Sequence, residues 1–203
     1  MKRIALIIAL TFQTFAFSQS NASLVLDAFT QSYTQESNGE YTKAIETLKK
    51  VYDAENYEIN LRLGWLHYSA GLFTESNSYY QKAIGIMPYS IEARLGIVYP
   101  ASALGNWDQV IQHYQEILKI DSKNTTANYR LGSIYYGQKK YDLAVKHLEA
   151  VVNLYPFDYD SVILLAWSNY QLGKLREAKI LFQKALLNTP TSDSAKEGLA
   201  LIK

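Results

Sequence analysis

The sequence predicts an all-α protein built as a solenoid of about five helix-turn-helix repeats. The first observation is a period of 34 residues, at which apolar side chains recur in Leu63, Ile97, Leu131 and Leu165. The second is a glycine between two helical patterns in most repeats, and the third is a proline near the end of several repeats. A fixed period of about 20–50 residues indicates stacked units, each of which buries its apolar face against its neighbours.

The composition is that of a folded chain and excludes several classes of function. The chain has 203 residues, of which 48% are hydrophobic, so it contains enough apolar side chains for a core. Its 20 basic and 19 acidic residues are scattered, whereas nucleic-acid binding requires a concentrated basic surface. Cysteine is absent, which excludes disulfides and thiolate metal sites. Because the basic residues are scattered, we expect no nucleic-acid partner.

Residues 1–18 have the pattern of a secretory signal peptide. Two basic residues precede an apolar run, and the small Ala16 and Ser18 lie at positions −3 and −1 before Gln19. This pattern predicts an exported protein, periplasmic or secreted, with cleavage between Ser18 and Gln19. Because Gln13 interrupts the apolar run, which is shorter than the roughly 20 residues of a spanning helix, an uncleaved anchor is the less favoured alternative. No transmembrane segment is expected in the mature chain.

Each repeat is expected to consist of two antiparallel helices joined by a tight turn. With Tyr57 as repeat position 1, one helical stripe ends at Ala70 and a second runs from Phe73 until Pro88 stops it. Glycine at the turn accepts a positive φ at little cost. The repeats are assigned to residues 23–56, 57–90, 91–124, 125–158 and 159–192, and a capping helix is assigned to residues 193–203.

Two positions depart from the repeat pattern, and the small residues of the pattern account for the close packing of its helices. Lys139 stands where other repeats have a turn glycine, and Pro100 lies inside a first helix, which it is expected to kink. Small residues such as Gly64 are expected to let paired helices approach closely, while the large Tyr80 and its equivalents fill the space above them. Ser194, with a glutamate three residues later, is expected to form a capping box for the last helix.

These residues resemble the tetratricopeptide repeat, whose pattern combines a Leu-Gly pair, a turn glycine, spaced aromatic residues, alanines and a terminal proline. The matching residues of one repeat are Leu63, Gly64, Gly71, Phe73, Tyr80, Ala83 and Pro88. The resemblance extends over residues 23–192. It implies a right-handed α-solenoid of about five tetratricopeptide repeats with a C-terminal capping helix, and a non-catalytic scaffold whose partner is a protein or peptide.

The resemblance also implies a concave groove lined by the first helices. Repeat position 9, which is usually polar in the family, is aromatic in four of the five repeats. These aromatic side chains are interpreted either as a recognition surface or as filler between neighbouring first helices. The predicted protein-binding groove consists of Tyr33, Trp65, Tyr68, Tyr99, Tyr129, Tyr136, Trp167 and Tyr170. Its charged edges are predicted to be Arg62, Arg130, Glu58, Glu92 and Asp160.

Such a groove suits an extended peptide or an amphipathic helix with apolar anchor residues. It does not suit the clamp with which some family members hold a C-terminal carboxylate, because the lysines and asparagines of that clamp are missing. The leading hypothesis is therefore a protein-interaction module of the bacterial cell envelope. The alternative is a structural or assembly subunit that self-associates or joins an envelope complex. The sequence leaves the partner's identity and the oligomeric state open.

No residues combine into a catalytic, cofactor or metal site. The sequence has no glycine-rich phosphate loop, no HExxH motif and no GxSxG motif. His113 and His147 lie one repeat apart, and the spacing of stacked helices, about 10 Å, is too large for both to ligate one metal ion. We therefore expect a protein that is not an enzyme and that has no cofactor.

Overall fold

The structure is a computed structural model, which describes residues 22–202. The predicted signal peptide lies outside the described residues. Within them, helices joined by short turns account for nearly the whole chain, and the predicted all-α fold of helix-turn-helix repeats is confirmed. The helices are α1 (22–37), α2 (Tyr41–Lys49), α3 (Tyr57–Ser69), α4 (Phe73–Ile86), α5 (Ile91–Ala103), α6 (Trp107–Ile120), α7 (Thr125–Gly137), α8 (Tyr141–Leu154), α9 (Tyr159–Gln171), α10 (Leu175–Asn188) and α11 (Asp193–Leu201).

The chain divides into two compact units, Met1–Val110 and Ile111–Lys203. In unit 1, α3 packs against α2, α4 and α5, so that a first helix is enclosed by its own partner and by the neighbouring repeat. In unit 2, α9 packs in the same way against α8, α10 and α11. Both units therefore bury their apolar residues between hairpins, as the period of the sequence predicts.

A side-chain cap begins the first helix of four repeats and also begins the final helix. In each case the residue before the helix accepts a hydrogen bond from the backbone N–H three residues later, at 2.8–3.1 Å. Each cap stabilises its helix by about 1 kcal/mol. The capping residues are Asn56, Ser90, Asn124, Asp158 and Ser192.

The cap of α11 differs from the one that the sequence predicts. The hydroxyl of Ser192 accepts from the N–H of Ala195, so the predicted capping box at Ser194 is wrong. Ser194 lies inside the helix, and its Oγ accepts a hydrogen bond from Trp167 Nε1 at 2.8 Å. The helix begins two residues earlier than a Ser194 cap requires because Ser192 already satisfies one free N–H of the first turn.

The tight turns within the hairpins all require the left-handed backbone region. Gly71, Gly105 and Gly173 have φ of 73–77°, and Lys139 has φ of 59°. A left-handed backbone costs a residue with a Cβ roughly 1–2 kcal/mol, whereas glycine adopts it freely. Lys139 is therefore strained, at the position where the other repeats use glycine.

The Lys139→Gly variant is expected to raise the free energy of unfolding by about 1 kcal/mol, because it removes this strain. Thermal and urea denaturation of the purified protein measure the change. The matched control is Lys140→Gly, since the next residue has φ of −91° and gains nothing from glycine. If Lys139→Gly raises the free energy of unfolding no more than Lys140→Gly does, Lys139 is not strained.

Glycine and bulky residues share the space between adjacent helices. A Cβ built on Gly64 would lie 2.9 Å from the Tyr80 ring, and one built on Gly96 would lie 2.3 Å from the same ring. Tyr80 on α4 is therefore accommodated by two glycines, one on α3 and one on α5, and it is almost fully buried. The predicted role of Gly64 as a space for Tyr80 is confirmed. Pro100 is buried inside α5, and the kink expected there stays a prediction.

Candidate functional site

An open cavity of about 570 Å³ lies among the first helices of unit 1. Tyr33 on α1, Trp65 on α3 and Tyr99 on α5 line it, with exposed fractions of 56%, 38% and 50%. All three occupy repeat position 9, so the period brings one ring from each of three successive first helices to the same face. We refer to this cavity as the aromatic pocket, whose remaining walls include Leu61, Arg62, Tyr80, Glu92 and Leu95.

The rings beside the pocket contact one another. The ring centre of Tyr99 lies 6.4 Å from that of Trp65 in an edge-to-face arrangement. Tyr68, which is half-buried, lies 5.8 Å from Trp65 and 5.5 Å from Tyr99. Each such aromatic pair is worth roughly 0.5–1.5 kcal/mol beyond its buried area, so the rings hold each other in place. The position-9 rings of unit 1 therefore pack against neighbouring rings and are also accessible to solvent.

A buried ion pair lies beneath the pocket. Arg62 is only 7% exposed, and its Nη1 lies 2.6 Å from Oε2 of Glu36, whose side chain is 22% exposed. Arg62 Nε donates to Ser32 Oγ at 3.2 Å, and the guanidinium carbon lies 3.8 Å from the centre of the Tyr33 ring. Trp65 Nε1 donates to the other oxygen of Glu36. One carboxylate thus fixes both the arginine and the tryptophan.

This arrangement corrects the sequence interpretation of Arg62 as an exposed edge charge. The side chain extends beneath the Tyr33 ring and is neutralised by Glu36, so it adds little positive charge to the rim. Its Nη2 is buried and has no acceptor within residues 22–202. Since a buried guanidinium without its counter-charge is costly, loss of Glu36 alone is expected to destabilise this part of the fold.

Glu92 is the charged group at the mouth of the aromatic pocket. It is exposed, and it forms no ion pair with any residue between positions 22 and 202. The hydroxyl of Tyr57 donates to Glu92 Oε2 at 3.2 Å and lies 2.7 Å from Ser90 Oγ. Burial, together with the negative charge of Glu92, raises the pKa of Tyr57. The carboxylate of Glu92 is therefore oriented but not neutralised.

Trp167 has a different environment, in unit 2. It is half-buried, its Nε1 donates to Ser194 of α11, and its ring centre lies 5.0 Å from that of Phe182 on α10. Tyr170 packs against it at 5.6 Å. These contacts favour the packing interpretation for Trp167, because the side chain joins α9 to the two helices that follow it.

The two remaining tyrosines of the predicted groove are also half-buried in unit 2. Tyr136 packs against Tyr141 at 5.5 Å, and burial raises its pKa. Tyr129 lines a second cavity, of about 370 Å³, together with Asp160. Burial and the charge of Asp160 raise the pKa of Tyr129. The structure therefore brings Tyr33, Trp65, Tyr68 and Tyr99 together in unit 1, and it gives the tyrosines of unit 2 separate surroundings.

Histidine side chains in both units make packing contacts. Nδ1 of buried His67 lies 2.7 Å from the carbonyl oxygen of Leu63, and burial lowers the pKa of this imidazole. His147 lies 3.0 Å from Asn128 Oδ1 and stacks on Tyr135. No group of three or more metal-binding side chains converges within residues 22–202. Among the helices of that same range, none combines the length and apolarity needed to cross a bilayer.

Helical hairpins that repeat along the chain place the protein in the class of helical-repeat proteins. Two family models, both described as tetratricopeptide repeat, match residues 29–91 and 101–162. Together these matches cover more than half of the chain. The protein therefore belongs to the tetratricopeptide-repeat family, whose members are protein-interaction scaffolds and are typically non-catalytic.

Known proteins resemble the chain at low sequence identity. It is 24% identical over 178 residues to the BBSome complex member BBS4 of Bos taurus, covering 78% of this chain and 34% of that protein. The chain thus spans about one third of the length of this relative. The crystal structure of MamA superimposes with a TM-score of 0.72 at 21% identity, covering 83% of this chain and 93% of that one. The crystal structure of a tetratricopeptide repeat protein from Parabacteroides merdae superimposes with a TM-score of 0.75 at 18% identity, covering 89% of this chain and 72% of that one. At these identities the likeness concerns the fold.

Proposed function

We propose that the protein is an exported scaffold of the bacterial cell envelope and that its aromatic pocket binds a segment of a partner polypeptide. The observation that carries the proposal is the set of three exposed rings, Tyr33, Trp65 and Tyr99, around one cavity. Tryptophan and tyrosine are enriched among the residues that dominate binding energy in protein interfaces. The partner is a peptide or an amphipathic helix that inserts an apolar side chain between the rings.

The size and rigidity of the pocket support this proposal. Its volume of about 570 Å³ falls in the range of roughly 300–1,000 Å³ that is usual for ligand sites. Glu36 and Tyr68 already hold the rings in position, so that binding immobilises fewer side chains. Each rotamer-rich side chain that is ordered on binding costs about 0.5–1.5 kcal/mol, so this order favours affinity.

We propose separate roles for the remaining residues of the predicted groove. Tyr68 supports the rings of Trp65 and Tyr99 and contacts the partner with its exposed edge. The aromatic residues of unit 2, which are proposed as a separate contact surface of that unit, are Tyr129, Tyr136, Trp167 and Tyr170. Because Trp167 also joins α9 to α11, its substitution is a poor test of binding.

The Trp65→Ala/Tyr99→Ala double variant is expected to weaken partner binding by more than about 2 kcal/mol, because it removes two central rings of the pocket. The partner is isolated from envelope extracts with the wild-type protein, and its affinity for each variant is measured by isothermal titration calorimetry. The matched control is Tyr89→Ala/Trp107→Ala, which removes the same two residue types from exposed sites of unit 1 outside the pocket. If the two double variants bind the partner with equal affinity, the aromatic pocket is not its binding site.

Export has its own test. Expression of the full chain in a bacterium with two membranes, followed by mass spectrometry of the periplasmic protein, determines its N-terminus. The proposal expects a mature chain that begins at Gln19, after cleavage at Ser18. A protein that stays in the cytoplasm with residues 1–18 intact contradicts the proposed localisation.

A second candidate function is self-association. Large apolar side chains are exposed on the last two helices, among them Ile180 and Leu187 on α10 and Leu201 on α11. Ile180 and Leu187 are seven residues apart and therefore lie on one face of α10, and exposed apolar faces of this kind mark interaction sites. Light scattering of the purified protein over a range of concentrations tests this candidate, and a monomer at every concentration contradicts it.

A further inference from the structure

The charges around the aromatic pocket do not cancel. Arg62 and Glu36 neutralise each other across 2.6 Å, and Arg62 is buried. Glu92 is left as an exposed carboxylate without a cationic partner among the described residues. Arg62, Glu36 and Glu92 together carry a net charge of −1. Because Glu92 is the exposed member of the three, a ligand meets a negative charge at the mouth of the pocket.

The position of Glu92 is fixed by its neighbours. Tyr57 donates a hydrogen bond to its carboxylate, and Ser90 holds the Tyr57 hydroxyl from the other side. Ser90 is also the N-cap of α5, so this small network is tied to the start of the helix that carries Glu92 and Tyr99. A fixed carboxylate without a counter-charge, lining the same cavity as the exposed rings, favours a cationic side chain on the ligand.

This inference rests on the proposed function: we infer that the occupant of the pocket is a segment of a partner polypeptide, other than its C-terminal end, with an apolar anchor residue and a nearby lysine or arginine. The anchor packs against the sides of the Trp65 and Tyr99 rings that line the cavity, next to the apolar wall formed by Leu61 and Leu95. The basic side chain extends from the anchor to the carboxylate of Glu92. Charge complementarity and ring geometry thus specify two adjacent features of the ligand.

The same charges exclude a carboxylate as the anchor of the ligand. A C-terminal carboxylate is favoured by an available cation, and Arg62, which among the described residues is the cation that lines the pocket, already pairs with Glu36. Its remaining nitrogen, Nη2, is buried rather than exposed to the cavity. Glu92 repels an anion at the entrance. The segment therefore does not enter the pocket through its C-terminal carboxylate.

Peptide selection on the full protein tests this inference. Random 12-residue peptides are displayed in two formats, one between fixed flanking sequences and one with a free C-terminus, and each library is selected on the wild-type protein and on Trp65→Ala/Tyr99→Ala. We expect the internal format to yield peptides that require the wild-type pocket and that combine an apolar anchor with a lysine or arginine. The dissociation constants of the best peptides, synthesised with both ends blocked, are measured by fluorescence anisotropy.

A double-mutant cycle isolates the contact with Glu92. Glu92→Gln, and replacement of the peptide's basic residue by glutamine, are each expected to weaken binding roughly fivefold, and the two changes together no further. Glu46→Gln, which neutralises an exposed carboxylate on α2 outside the pocket, leaves the dissociation constant unchanged. Thermal denaturation verifies that each variant is folded.

The outcomes separate this inference from the proposed function. Selected peptides that lack a basic residue, or that bind only through a free C-terminus, overturn the inference while leaving a peptide-binding pocket. An unchanged affinity of Glu92→Gln for a lysine- or arginine-containing peptide overturns it as well. If neither library yields a peptide that distinguishes the wild-type protein from Trp65→Ala/Tyr99→Ala, the proposed pocket fails, and the inference fails with it.

Discussion

Replacing Phe182 with alanine is expected to lower the free energy of unfolding by about 3–5 kcal/mol, the range for deleting a buried phenylalanine side chain. The ring is fully buried on α10, and its centre lies 5.0 Å from that of Trp167 on α9. On its other side it fills the space above Gly198 of α11, where a Cβ would lie 2.3 Å from the ring. One side chain therefore joins three helices, and its removal leaves a cavity that Gly198 has no side chain to fill.

Urea denaturation followed by circular dichroism measures this loss for the purified variant. The matched control is Ile180→Ala on the same helix, since this side chain is exposed and its truncation removes little buried area. A change of less than about 1 kcal/mol is expected for the control. Similar losses for the two variants argue against Phe182 as the residue that holds the end of unit 2 together.

The position of Phe182 illustrates what the sequence predicts well. Tyr80, Leu148 and Phe182 are multiples of 34 residues apart, and each is buried beside a small residue of a neighbouring helix. A glycine opposite Tyr80 and a glycine opposite Phe182 follow from the same requirement for space. Because a repeat imposes one set of local rules several times, the period predicts helices, turns and core positions together.

The helix caps were equally accessible from the sequence. Asn56, Ser90, Asn124, Asp158 and Ser192 are spaced 34 residues apart, immediately before the helices that they cap. The prediction at Ser194 failed because it used a local motif and ignored this register. The period was therefore the better guide to the start of the last helix.

The network beneath the aromatic pocket could not be predicted in this way. Glu36 and Arg62 lie in different repeats and at different repeat positions, and the first repeat is offset from the second by 32 residues rather than 34. No periodic rule relates the two residues, so that only their positions in the folded chain reveal the ion pair. For the same reason the exposure of Tyr33 and the packing of Trp167 were not distinguishable from sequence, although both occupy position 9.

The Glu36→Gln variant is expected to lower the free energy of unfolding by about 3 kcal/mol, near the lower end of the range for a buried charge that loses its partner. The glutamine amide has one oxygen acceptor, whereas the carboxylate accepts from both Arg62 and Trp65. One of these donors is left facing an N–H₂ group. The guanidinium, whose Nη2 already has no acceptor among the described residues, then remains buried without a counter-charge.

The consequence for the pocket is separable from the loss of stability. Urea denaturation measures the loss of stability. The affinity for a selected peptide measures the effect on the pocket, and it is expected to fall because the indole of Trp65 loses the carboxylate that orients it. Replacing the pair by Glu36→Leu/Arg62→Met is expected to restore most of the stability, since apolar side chains replace both charges. Peptide affinity is not restored with it, because leucine offers Trp65 Nε1 no acceptor. Recovery of both properties in the double variant argues that Glu36 acts only by neutralising Arg62.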